Sequence, residues 1–123
     1  MINILAVMAG GALGSALRYW MGVLMPVSVG GFPGVTLLVN VLGSFALGII
    51  VALGISARSE SHSLALFLGT GLCGGFTTYS AFAVESVGML ERGEFLTVTL
   101  YVIATLVCCA LAAAVAVWLV RRF

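Results

Sequence analysis

From Val35 to Ala57 the chain runs without one charged side chain. About 20 mostly apolar residues cross the hydrocarbon core of a bilayer as a helix. Inside that core every peptide group must find its partner within the protein. This segment is therefore read as a membrane helix. Three more runs meet the same length: Ile2 to Met25, Ser63 to Leu90 and Phe95 to Val120. The whole chain is 63% hydrophobic and 7% charged, where a soluble domain carries about 25% charged residues. Too little polar surface exists to cover a water-soluble globule.

The expected fold is therefore an all-α membrane protein of four transmembrane helices, one domain over residues 1–123, with no internal repeat. Its connections are short: Pro26 to Gly34 is rich in Gly and Pro, Arg58 to His62 is polar, and Glu91 to Glu94 is charged. Met1 to Leu17 lacks the basic start and small-residue cleavage site of a signal peptide, and is read as part of the first helix. Net charge is +1, and no basic run is present to neutralise several phosphates, which excludes nucleic acid as a partner. Cys73, Cys108 and Cys109 sit within apolar runs and show neither metal-ligand nor disulfide spacing. The one His, His62, lies in a loop, and no nucleophile has an evident base, so an enzyme is not expected.

The third run contains Gly71-Leu72-Cys73-Gly74-Gly75-Phe76-Thr77-Thr78-Tyr79-Ser80-Ala81-Phe82. Glycine inside a helix costs about 1 kcal/mol relative to Ala. Irregular backbone at membrane depth is tolerated only where protein or a water-filled cavity covers it. The expectation is a helix broken at Gly74–Thr78, whose freed peptide groups line an ion pathway. Gly10, Gly14 and Gly22, and likewise Gly71 and Gly75, have the small-residue spacing that lets membrane helices approach closely.

Several polar residues fall inside the spans. Asn40 either bonds a neighbouring helix or, with Thr36 one turn earlier, offers donors to an anion. Tyr79 and Phe82 share a helix face; they either pack as aromatics or aim their positive ring edges at a pore. Tyr101, Thr105 and Cys109 recur every four residues as one polar stripe on the fourth span. In the alternative, Thr105 bonds its own backbone. Glu85 lies one turn beyond Phe82, at a pathway mouth or paired with an Arg. Arg18 either snorkels to the interface or collects anions in a vestibule. Carbonyls freed beside Thr77 and Thr78 suit a hard cation such as sodium, and two copies related by a two-fold axis would share it.

These motifs resemble the CrcB/Fluc family of fluoride channels over nearly the full chain. The match runs through Gly10-Gly11-Ala12-Leu13-Gly14 to Arg18-Tyr19, then Thr36 to Gly43, and above all Gly71 to Phe82. The resemblance implies an antiparallel, dual-topology homodimer in the cell inner membrane, with passive export of fluoride through two pores. It implies a structural sodium held by backbone carbonyls of Gly74 and Thr77. The pore and fluoride-binding residues would be Asn40, Thr36, Tyr79, Ser80, Phe82, Tyr101, Thr105 and Cys109, with Glu85 and Arg18 at the family's acidic and vestibule positions. Tyr79 stands where the family usually has Phe, and Ala81 where it usually has Thr. The rival from sequence is a small multidrug antiporter, which needs a buried carboxylate in the first helix; this first span has none. A non-transporting accessory subunit is the third reading.

Topology follows the distribution of Arg. Four spans put both termini and the Arg58 loop on one side, with Arg58, Arg121 and Arg122; the other side has Arg18 and Arg92. The difference, three minus two, is one. Such a weak bias leads to the expectation that both orientations insert. A cysteine introduced as Arg122→Cys should then react with a membrane-impermeant thiol reagent from both sides of the membrane, and reaction from one side alone would refute dual insertion.

Overall fold

The computed structural model describes residues 1–25, 31–55 and 62–123. The Arg58 connection and most of the Pro26–Gly34 connection lie outside the described residues. Within them, every element is helical: α1 (Ile2–Leu24), α2 (Gly34–Ala52), α3 (His62–Ala65), a π-helical stretch (Leu66–Cys73), α4 (Gly74–Phe76), α5 (Tyr79–Glu91) and α6 (Phe95–Arg122). Helices α1, α2 and α6 are each long and apolar enough to cross a membrane. The predicted third span is composite. One helical piece runs from His62 to Phe76, and α5 follows with 13 residues; neither reaches the ~20 needed alone.

Two pairings organise the bundle: α2 packs along α6, and α1 packs along the π-helical stretch and α4. Large apolar side chains on the outer faces, such as Ile4, Leu5 and Met8 on α1 and Leu100, Ile103 and Val107 on α6, stand exposed. Lipid tails are as apolar as these side chains, so in a membrane this arrangement carries no penalty. A buried cluster of Phe82, Met89, Val98 and Tyr101 joins α5 to α6, with Phe32 and Leu37 against it. The α5–α6 turn closes on Gly93, whose φ of 75° falls in the left-handed region. There the Arg92 Nε lies 2.7 Å from Glu94 Oε1. This hydrogen bond lowers the Glu94 carboxyl below its ordinary range and raises the Arg92 guanidinium. Both are solvated, so the pair contributes little stability.

The glycines of the third span do not form the break. Gly74 is helical, with φ −65° and ψ −36°, and Gly75 continues α4. The chain leaves the helix at Thr77 (φ −75°, ψ 160°) and Thr78 (φ −150°, ψ 116°). Thus the break expected over Gly74–Thr78 narrows to its two threonines. The glycines serve close approach instead. A Cβ on Gly75 would sit 2.6 Å from the Gly11 carbonyl oxygen, and one on Gly71 would sit 2.9 Å from the Gly10 Cα. From the other side, a Cβ on Gly14 would meet the Leu72 carbonyl oxygen and lie 2.8 Å from the Phe76 nitrogen. Backbone rests on backbone along this seam, as expected for Gly10 and Gly14. Gly22 takes no part, since a Cβ there meets open space.

This contrast is directly testable. Gly14→Ala must displace backbone and should destabilise the fold by about 1–3 kcal/mol, whereas Gly22→Ala should leave stability unchanged or slightly raised. Thermal unfolding of the two variants in detergent gives the comparison.

Candidate functional site

A helix that stops at Phe76 leaves its last carbonyls without intrahelical partners, and a helix that starts at Tyr79 leaves its first amides likewise. Side chains from three directions take up these groups. From α2, the Asn40 Nδ2 donates to the Thr78 carbonyl oxygen at 3.1 Å, and the Thr78 N–H donates to Asn40 Oδ1 at 2.8 Å. This reciprocal pair replaces the two backbone bonds that Thr78 would make in a helix. Thr78 itself caps α5, its Oγ1 accepting from the Ala81 N–H at 3.2 Å. From α1, the Arg18 Nε donates to the Gly75 carbonyl oxygen at 3.1 Å. The Thr77 hydroxyl donates back to the Cys73 carbonyl at 3.0 Å.

A groove of about 350 Å³ opens beside this break. Its walls come from α2 (Asn40, Gly43, Ser44), the break (Gly74, Thr77, Thr78), α5 (Tyr79, Phe82) and α6 (Thr105, Cys109). Seven of the predicted site residues therefore meet here: Asn40, Gly74, Thr77, Tyr79, Phe82, Thr105 and Cys109. The two aromatic rings lie 5.6 Å apart between centroids. Phe82 is buried and also contacts the Tyr101 ring at 5.2 Å, while Tyr79 is 79% exposed on the open side. The Thr105 hydroxyl is buried and has no hydrogen-bond partner within the described protein. It does not bond its own backbone, so that alternative is set aside.

Other predicted residues gather elsewhere. Glu85 accepts from the Thr36 hydroxyl at 2.7 Å through Oε1 and from the Tyr101 hydroxyl at 2.6 Å through Oε2. Its partners are hydroxyls and not an Arg. The Thr36 hydroxyl thus donates to a carboxylate. Thr36 lines a second groove, of about 560 Å³, with Arg18, Thr78 and Glu85. Tyr101 is fully buried beneath the rings of Phe32 and Phe82, so of the polar stripe only Thr105 and Cys109 line the groove. Ser80 is exposed on the outer side of the break, its hydroxyl 3.3 Å from that of Thr78.

Sequence reasoning missed three features. Ser44, one turn after Asn40, joins the groove wall. Thr78 is the helix cap, a role signalled by a Thr immediately ahead of a new helical run. The π-helical stretch, in which the Gly74 N–H reaches back five residues to the Gly69 carbonyl, had no sequence signal. Such wide turns are rare and often lie at functional sites.

Four helical crossings, one of them interrupted, with a groove at the interruption that carries a few polar groups, define a small polytopic membrane protein built around a broken helix. The family model described as CrcB-like protein, Camphor Resistance (CrcB), matches residues 5–117. A protein of Methylobacterium sp. (strain 4-46) named fluoride-specific ion channel FluC is 40% identical over 123 residues, covering 100% of this chain and 99% of its own length. A protein of the same name from Chlorobaculum tepidum is 45% identical over 106 residues, or 86% of this chain and 84% of its own. One from Sphingopyxis alaskensis is 38% identical over 123 residues, or 99% and 98%. The chain belongs to the CrcB-like family.

The Asn40 clamp yields a stability prediction. Asn40→Leu keeps the branched shape but leaves the Thr78 N–H and C=O unpaired, each at a cost of about 1–3 kcal/mol. The unfolding midpoint of the purified variant should fall accordingly, and an unchanged midpoint would show that the clamp carries no weight.

Proposed function

We propose that this chain is a fluoride-selective channel that lets fluoride leave the cytoplasm passively. The observation that carries the reading is the Thr105 hydroxyl, buried without a partner on the wall of the groove. An unsatisfied buried polar group is costly, and a small anion is a partner that a hydroxyl donor can accept. Relatives 40%, 45% and 38% identical to this chain are named fluoride-specific ion channels.

Fluoride is small and strongly hydrated. A pore must replace its water with donors, yet release it at the far end. The groove supplies weak donors and no fixed cation among its lining residues. Thr105 and Ser44 contribute hydroxyls. The Asn40 amide spends one N–H and its oxygen on Thr78 and keeps a second N–H. That reciprocal pair also fixes which way round the amide sits, since a flip would set oxygen against the Thr78 carbonyl. The rings of Phe82 and Tyr79 have positive edges that attract an anion weakly. Cys109 adds a thiol, a weak donor.

The working unit is an antiparallel homodimer in the cell inner membrane, inserted in both orientations. In one copy the groove is open and Tyr79 stands 79% exposed; a second copy would close it. The carbonyls of Gly74 and Thr77 fit a structural sodium: both residues line the groove, and the end of α4 leaves neutral oxygens without helical partners. When bound, sodium supplies positive potential near the anion path and joins the two copies.

The test is fluoride efflux from liposomes holding the purified protein, read with a fluoride electrode, with chloride as the counter-ion control. Fast fluoride loss with chloride retained is the expected result, and no fluoride loss from a folded dimer would overturn the reading. Thr105→Val removes the unpaired hydroxyl at nearly constant shape. It should lower fluoride flux by about tenfold while leaving thermal stability unchanged or raised, because the buried group it removes was unsatisfied.

A further inference from the structure

Among the described residues, Arg18 is the Arg whose side chain hydrogen-bonds the helix that leads into the break. Its Nε donates to the Gly75 carbonyl oxygen at 3.1 Å across 57 positions of sequence. That carbonyl is two residues before the chain turns extended at Thr77. It lies on the last turn of a helix, where unpaired carbonyls carry partial negative charge that a cation complements. The side chain is half-buried. The glycine seam makes the reach possible, since Gly14, one turn before Arg18, rests on the Leu72 carbonyl and Phe76 nitrogen.

We infer that Arg18 is a positioning residue. It fixes the Gly75 peptide, and with it the carbonyls of Gly74 and Thr77 on either side, through one directed N–H. It does not act by attracting anions with its charge. For transport this role rests on the channel reading above, because the peptide that it fixes lies between Gly74 and Thr77, whose carbonyls are proposed to hold sodium. Asn40 holds the break from α2, and Arg18 holds it from α1.

The identity of the donating atom makes the idea testable. The Nε of Arg and the Nε2 of Gln stand the same number of bonds from the backbone. Arg18→Gln therefore keeps a donor at that place and removes the charge. Arg18→Lys keeps the charge and puts a methylene where the donor stood. Two readouts are taken on the full-length purified protein. The first is amide hydrogen exchange of peptides covering residues 72–82, with peptides from α6 as the internal control. The second is fluoride efflux from liposomes at low and high ionic strength.

If Arg18 positions the break, Arg18→Gln retains slow exchange at 72–82 and most of the efflux at both salt concentrations. Arg18→Lys then exchanges about tenfold faster there, with α6 unchanged, and loses flux regardless of salt. The opposite ranking, with Lys retaining flux and Gln losing it most at low salt, is the signature of screened long-range attraction and overturns the proposal. Equal exchange in both variants and the parent also overturns it. A parent protein that passes no fluoride defeats the channel reading alone, since the exchange ranking still decides what Arg18 does.

Discussion

A peptide group in hydrocarbon has no water to fall back on, and this protein contains two residues whose peptide groups have left the helix in mid-membrane. Everything else in the molecule is arranged around that exposure. Asn40 exchanges a pair of hydrogen bonds with Thr78, Thr78 caps the helix that follows, and Arg18 takes a carbonyl from the helix that precedes. Each supporting residue sits on a different helix. The bundle must therefore be assembled before the break is satisfied, which couples local geometry to the whole fold.

The glycine seam is the second half of the same solution. Short reach is a condition for these bonds, and side chains beyond a hydrogen would hold α1 away from the broken span. Gly10, Gly14, Gly71 and Gly75 let the two backbones touch. On the other flank, a Cβ on Gly43 of α2 would run into the Thr77 methyl, so α2 is also drawn close, three residues after Asn40. The groove then follows from what is left over: once the break is held from both flanks, a cleft remains between it and α6, lined by Phe82 and by the Thr105 hydroxyl, which no other described residue bonds.

Much of this was legible in the sequence. Apolar run length located the spans, because the bilayer imposes a length on any helix that crosses it. The polar residues inside those runs marked the groove, because membranes make such residues expensive. What could not be read was which of the unusual residues did what. Gly74-Gly75 and Thr77-Thr78 are adjacent, and both favour irregular backbone. Tertiary contact decided between them, since Gly75 lies against Gly11 and Thr78 lies against Asn40, at separations of 64 and 38 residues that no local pattern encodes. Of the two readings of Glu85, the pairing with an Arg is not the one found, for a similar reason. A carboxylate suggests an Arg, yet two hydroxyls from α2 and α6 reach it. The π-helical stretch shifts the phase of the third span before the break, and a hydrophobic pattern counted at 3.6 residues per turn does not reveal it.

Positive φ in the described chain is confined to Gly31, Gly54 and Gly93. The break itself uses dihedrals that any residue adopts, so it stores no steric strain. Its whole cost is unmade hydrogen bonds, and a cost of that kind depends on dryness. Water admitted to the groove can stand in for Asn40 at the freed Thr78 peptide groups. The interruption is thus rigid when dehydrated and compliant when wet, and the filling of the groove sets how firmly the two halves of the third span are held in line.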